Sequence, residues 1–373
     1  MTQSESNLSA SSEADLFLAD ASLLALMRTP GLGLRSAYTL LQHIPILDLV
    51  ADAEVLIEAG LRRDIAAYLA TTKLEPLQQE LSEYRHQGID VISLANTLYP
   101  PLLKELPDPP LLLFCIGNSG LLAQPQVAIV GSRGASIGGK HHAFEFAAQL
   151  SDAGLAVTSG MAMGIDASAH LGALHNGGAT LAVLGTGVDL CYPRRNKALR
   201  EQIAQHGLLV SEFLPGTQPR AQHFPRRNRV IAGLSLGTLV VEAEQKSGSL
   251  ITAELAMDYN REVMAMPGAV NNPYSRGCHA LIKHGAALVE NAEDVLAELG
   301  CYQQKGLYIN NEGVEKEDEN TLLRHIGFEP TSIDAIALSS QIPIAQLLTL
   351  LIDLELEGSI ISTSGGYTRV GGE

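Results

Sequence analysis

The chain has 373 residues, 46% of them hydrophobic, and a formal net charge of −16 at pH 7. That length predicts two or three domains with a sizeable core, and the charge excludes a protein that coats nucleic acid indiscriminately while leaving room for one focused anion site. No apolar run approaches the roughly 18 residues of a membrane span, and the four cysteines (Cys115, Cys191, Cys278, Cys301) show neither a CxxC pair nor metal-ligand spacing, which predicts reduced thiols, no metal and a cytoplasmic protein.

Residues 1–15 are polar and Ser-rich, with no basic start followed by an apolar stretch. They read as a disordered tail rather than a signal peptide. Residues 16–90 read as a helical domain. Leu23–Met27, the turn Pro30-Gly31-Leu32-Gly33 and Ser36–Leu41 give apolar helix, Gly-rich turn, apolar helix. That is the pattern of a helix-hairpin-helix, whose turn can face a DNA phosphate, and equally of a plain αα-turn. Asp48–Leu69 and Pro76–Gln87 predict further helices, and the prolines between Pro100 and Pro110 mark a boundary.

Residues 91–300 alternate short apolar runs with helical stretches. The predicted strands are Val127–Val130, Leu155–Val157, Leu181–Leu184, Leu208–Val210, Leu239–Val241, Glu262–Met266 and Ala287–Val289; Lys140–Ala153 and Ser249–Tyr259 are crossover helices. This predicts an α/β fold, a Rossmann-like, doubly wound, mostly parallel sheet whose ligands bind at the carboxyl ends of the strands. Residues 301–320 are polar and acidic and read as a linker. Residues 321–373 predict a winged-helix domain: a helix from Thr331, an apolar helix over Ile344–Leu356, then a hairpin. With few basic residues (Arg324, Arg369), that unit suits a protein contact at least as well as DNA.

Several strand ends carry Gly and small polar residues. Gly131-Ser132-Arg133 follows a strand and precedes a helix, where close backbone approach and the helix dipole favour an anion. No complete GxGxxG is present. Gly134–Lys140 fits GxxxxGK, but His141 stands where a phosphate loop needs Ser or Thr for Mg²⁺, which argues against an ATPase. Ser159-Gly160 opens a second Gly-rich turn leading to Asp166 and His170. These two suit either acid–base work or plain capping and packing. Ser247-Gly248-Ser249 ends another strand ahead of a helix.

The sharpest signal is a local reversal of charge. Between Cys191 and Val230 lie Arg194, Arg195, Lys197, Arg200, Arg220, Arg226, Arg227 and Arg229, against only Glu201 and Glu212. The plain reading is a solvated charged loop. Yet Tyr192 sits beside Arg194, Arg195 and Asn196, and Phe224 beside Arg226, Arg227 and Asn228. Aromatic faces stack on unpaired bases while Arg holds phosphates, which is the logic of single-strand binding.

Taken in order, GSR (131–133), SGMAMGID (159–166), YPRRN (192–196), SEF (211–213), FPRRNRVIAGLS (224–235), VVEAEQKSGSLITA (240–253), PGAV (267–270) and LIKHGA (281–286) resemble the DprA/Smf family, strongly over residues 90–300 and more loosely in the flanking domains. The resemblance implies a non-enzymatic bacterial single-stranded-DNA-binding protein without a cofactor. It would protect incoming DNA in natural transformation, load RecA recombinase and work as a homodimer. It implies an anion pocket including Ser132, Arg133, Ser159, Gly160, Arg227 and Asn228. The residue reading adds Gly131, Tyr192, Arg194, Arg195, Asn196, Phe224, Arg226, Ser247 and Gly248. Two positions depart from the family pattern. Gly138-Gly139 stands for Tyr-Gly, and Met163 for a basic residue, each removing a potential contact. The enzymatic alternative is a nucleotide-binding, phosphoribohydrolase-like relative, which requires a PGGxGT-type loop and a catalytic Glu; Pro267–Val270 lacks both. Leu281-Ile282 with Ala286–Leu288 is the candidate dimer contact, unless it is core.

Overall fold

The computed structural model describes residues 12–50, 52–300, 322, 325–326, 331–340, 342–356, 360–363 and 365–369. The expected linker at 301–320 and most of the expected tail lie outside these. The described chain divides into two units, one ending at Gln304 and one beginning at Lys305.

In the first unit, helix α1 spans Glu13–Arg28 and so takes in residues 13–15 of the stretch read as a tail. Ser12 accepts a hydrogen bond from the Asp15 N–H and satisfies one of the donors a helix start leaves unpaired. After the turn at Thr29–Gly33, where Gly31 has φ of 77°, come α2 (Leu34–His43), α3 (Ala53–Glu58), α4 (Arg63–Ala70) and α5 (Glu75–His86). These helices do not keep a core of their own. Leu23, Leu40, Leu69 and Leu81 belong to the same continuous apolar cluster as Phe114, Val183 and Val210 of the sheet.

The sheet has nine strands: β1 Asp90–Ser93, β2 Leu112–Gly117, β3 Gln126–Val130, β4 Ala156–Ser159, β5 Thr180–Val183, β6 Leu208–Ser211, β7 Gly237–Val240, β8 Glu262–Ala265 and β9 Ala287–Leu288. Their order is β1-β2-β6-β5-β4-β3-β7-β8-β9. The seven strands from β3 onward are parallel and match the sequence reading. The antiparallel pair β1 and β2, joined to β6, is an addition that reading missed. The Pro-rich segment between them holds a one-turn helix α6 (Pro101–Lys104). Buried Tyr99 donates its hydroxyl to the Pro110 carbonyl at 2.7 Å and ties the segment down.

Helices cover both faces. They are α7 (Ile137–Asp152), α8 (Ile165–His175), α9 (Lys197–His206), α10 (His223–Leu234), α11 (Gly248–Asp258), α12 (Arg276–Lys283) and α13 (Ala292–Glu298). The two-residue period of β3 shows why. Val127 and Ile129 pack with Ala143, Phe146 and Leu150 of α7, while Ala128 and Val130 pack with Val230 and Ile231 of α10 and Ala253 of α11. The chain runs β3, β4, β5, β6 to one side. It then returns through α10 to place β7 on the other side of β3, with Ala128 between Thr158 and Thr238. That reversal is the topological switch point, where the connections diverge and leave a crevice.

Two alternatives left open by the sequence are decided here. The Arg-rich stretch from Phe224 is not a loop but the first turns of α10, with Pro225 tolerated in the opening turn. Of the candidate dimer contact, Leu281 and Ala286 are buried core and Ile282 packs against it; Leu288 is exposed on β9.

The second unit contains α14 (Ile333–Ser340), α15 (Ile344–Leu356) and the antiparallel hairpin β10 (Ile360–Thr363) and β11 (Gly366–Arg369). Ile336, Leu347, Leu351 and Ile360 form its core. This is the two-helix-and-hairpin pattern of a winged helix, and it leaves Leu338, Ile344 and Ile361 exposed.

Candidate nucleic-acid interface

A cleft of about 850 Å³ opens at the carboxyl ends of β3 and β7, at the switch point. Gly131, Ser132 and Arg133 come from the β3 end, Tyr192 from beyond β5, and Phe224, Arg227 and Asn228 from α10. Ser247 and Gly248 come from the start of α11. Segments distant in sequence thus meet because strand ends and helix starts share one rim.

Arg227 forms the floor. Its Nη1 donates to the Gly160 carbonyl at 2.5 Å and to the Val183 carbonyl, and its Nε to Asn228 Oδ1 at 3.1 Å. Gly160 is required here, since a Cβ would stand 2.5 Å from Arg227 Nη1. Burial lowers the Arg227 pKa to about 10, against the pull of Asp166 in the other direction, so it stays cationic at neutral pH. Asn228 donates from Nδ2 to the Gly248 carbonyl at 3.2 Å and fixes the start of α11 relative to α10.

Asp166 also lines the cleft, but its Oδ2 accepts from the Gly160 and Ala162 N–H groups at 3.1 and 3.3 Å, which shapes the β4–α8 turn. Burial raises its pKa, and Arg227 and those amides oppose the rise. His170 does not face it. Its Nδ1 lies 2.7 Å from Thr180 Oγ1, whose hydroxyl donates to the Val157 carbonyl. Burial, with Arg227 adding, lowers the His170 pKa to about 3, so the ring is neutral. The acid–base pairing allowed by the sequence is therefore not formed.

Arg133 differs from Arg227. It is exposed, has no ion-pair partner among the described residues, and its guanidinium lies 5.8 Å from the Phe224 ring centre. Tyr192, 45% exposed, meets Phe224 at 5.4 Å between ring centres. Gly185 lies under Phe224, where a Cβ would come 2.9 Å from Cδ1. Phe224 is thus partly covered, and Tyr192 offers the freer aromatic face. A side cavity of about 70 Å³ behind them includes Met163.

Several expected contacts are engaged elsewhere. Ser159 is buried and donates to the Ile129 carbonyl at 2.6 Å. The Gly160 N–H is held by Asp166. Asn196 donates to the Met161 carbonyl at 2.8 Å, bracing the β4–α8 turn from outside. Arg226 pairs with Glu212 at 3.0 Å, and Arg229 pairs with the same carboxylate. Arg194 and Arg195 are exposed on a short 3-10 turn and do not line the cleft. Ser132 Oγ accepts from the Gly134 N–H at 3.2 Å, and Ser247 caps α11 through the Ser249 N–H. Gly131 leaves no room for a side chain against Ile165. Arg220, not selected as a site residue from sequence, is exposed and lines the cleft. The signal for it was its membership of the same basic window.

Comparison with known proteins agrees with this architecture. The family model for DNA recombination-mediator protein A matches residues 90–300, and that for the DprA winged helix domain matches 313–366. Protein Smf of Escherichia coli (strain K12) is 39% identical over 331 residues, 86% of this chain and 87% of that protein. DNA processing protein DprA of Streptococcus pneumoniae is 50% identical over 212 residues, 57% of this chain and 75% of that protein. The X-ray structure of DprA from Streptococcus pneumoniae superposes with a TM-score of 0.68 at 39% identity, covering 75% of this chain and 97% of that one. A structure of DNA processing protein A from Helicobacter pylori, described for its single-stranded DNA binding mode, gives 0.52 at 31% identity, covering 58% and 97%.

Proposed function

This chain belongs to the DNA recombination-mediator protein A family, and from that premise we propose that it binds single-stranded DNA in the switch-point cleft, protects it and hands it to RecA recombinase without catalysing a reaction. The observation that carries the reading is the pairing of two arginines in different states at one rim. Arg227 is held in place by carbonyls, and Arg133, without an ion pair among the described residues, stands beside Tyr192 and Phe224. The first keeps the floor cationic and rigid; the second is ready for a phosphate oxygen. Tyr192 then supplies an aromatic face that only an unpaired base can reach. The single-stranded DNA binding mode described for the Helicobacter pylori relative supports single-stranded DNA as the ligand.

The non-enzymatic part is supported by the state of the two groups that chemistry would need. Asp166 is engaged by backbone amides, and His170 is neutral and turned to Thr180. Working as a homodimer follows from avidity, since one cleft holds a flexible strand weakly and two on the same strand raise the effective concentration. The partly buried 281–288 segment does not carry that part. A salt titration tests the reading directly. A single-stranded oligomer is expected to bind tighter than the matched duplex at every salt concentration. Equal affinity would refute it.

A further inference from the structure

The segment Gly134–Lys140 has the spacing of a phosphate loop and runs from the turn after β3 into the first turn of α7, where the pyrophosphate of a nucleotide rests in many α/β proteins. In this chain that turn is already filled by one of its own carboxylates. Glu242, just beyond β7, turns its side chain under the start of α7. One carboxylate oxygen, Oε2, accepts from the Ser136 N–H at 2.8 Å, and Oε1 accepts from Ser136 Oγ at 2.7 Å. Ser136 is the N-cap of the 16-residue α7, and its Oγ accepts in turn from the Gly139 N–H at 2.9 Å. The Glu242 main-chain oxygen accepts from the Ser132 N–H at 2.7 Å. Strand end, turn and helix start are all tied to this residue, which is 8% exposed. A Cβ at Gly139 would run into its carboxylate, and one at Gly131 would meet its carbonyl oxygen. These glycines make room for Glu242 as they would for a bound phosphate.

We infer that Glu242 is a specificity-determining residue: a built-in anion that closes the β3–α7 turn to the pyrophosphate group of free nucleotides, leaving the neighbouring cleft to chain phosphodiesters. Its charge repels a second anion at the helix start, and its oxygens already use the Ser136 donors. The exclusion is useful because free nucleotides carry the same phosphate and base groups as the polymer. Only the phosphodiester half of the inference rests on the proposed function.

The test uses the full-length protein with inorganic pyrophosphate and ADP as calorimetric probes, and a thymidine oligomer followed separately by fluorescence anisotropy. Glu242→Ala is expected to bind pyrophosphate and ADP at least about tenfold tighter than wild type, since a close like charge is removed. Oligomer affinity is expected to change by less than about threefold, because the phosphodiester contacts are untouched. A cooperatively melting Glu242→Ala with no gain for pyrophosphate overturns the inference. If that variant does not fold, Glu242→Gln, which keeps the shape and loses the charge, is judged by the same two outcomes. If neither folds, the amide resonances of Ser136 and Gly139 in wild type decide it: unshifted by millimolar pyrophosphate supports the inference, and shifted overturns it. Wild type that ignores the oligomer while Glu242→Ala gains pyrophosphate would sink the proposed function and keep the closed turn.

Discussion

Replacing Arg227 and Arg133 one at a time by Ala should give opposite results, although both are arginines of one cleft. Arg227→Ala strips the Gly160 and Val183 carbonyls of their donor in a buried place. At about 1–3 kcal/mol for each unsatisfied group, that is about 2–6 kcal/mol. A domain of ordinary stability has only about 5–15 kcal/mol in all. Asp166 loses its opposing cation as well, so its pKa climbs further. Arg133→Ala removes an exposed side chain without an ion pair among the described residues and should move stability by no more than about 0.5 kcal/mol. Its cost appears in binding instead. One lost phosphate contact on a single strand flattens the dependence of log affinity on log salt by about 0.7. Urea unfolding, followed by circular dichroism, reads the first effect, and oligomer anisotropy at several salt concentrations reads the second. An Arg227→Ala protein that loses less than about 1 kcal/mol would refute the floor assignment. An Arg133→Ala protein with an unchanged salt slope would refute the phosphate assignment.

Three further outcomes are expected. Gly160→Ala pushes a Cβ into the Arg227 guanidinium and should cost about 1–3 kcal/mol by overpacking, measured by urea unfolding; a neutral result means the guanidinium can move aside freely. Tyr192→Ala should weaken single-stranded oligomer binding by about 1–3 kcal/mol and leave duplex binding nearly unchanged, so equal losses on both would show that the ring does not stack. His170 has a folded pKa of about 3, below its ordinary 6.5. Between those values the unfolded chain binds a proton that the folded chain refuses, so stability falls as pH drops below about 6.5. The difference between wild type and His170→Gln, from unfolding at pH 7 and pH 5, should show this loss in wild type only; parallel losses would place a proton on the folded ring.

Much of this architecture is legible in the linear chain because it depends on local periodicity. Seven apolar runs spaced by crossover lengths specify the parallel strands, and glycines at their ends specify a rim where backbone comes close to a ligand. Charge density around 191–230 picks out Tyr192, Arg220, Phe224, Arg227 and Asn228, which line the cleft, but not Arg133, which lies outside that window. The strands β1 and β2 were not legible. The prolines between them read as a boundary, and a short apolar run such as Leu111–Ile116 has no period that separates strand from buried helix.

Which arginine serves which purpose was decided only by the tertiary structure. Arg226, Arg227 and Arg229 are near neighbours in one motif, yet Arg226 and Arg229 converge on Glu212, while Arg227 reaches the carbonyls of Gly160 and Val183. Within α10 the turn of about 100° per residue sends adjacent side chains to different faces. Each then takes the partner that the sheet has brought there from far along the chain. The same holds for Ser159, whose hydroxyl is claimed by Ile129, and for the β3–α7 turn, claimed by Glu242. Residue type specifies what a group can bind. Burial and through-space partners determine what it has left to offer, and those come into existence only when the strands are side by side.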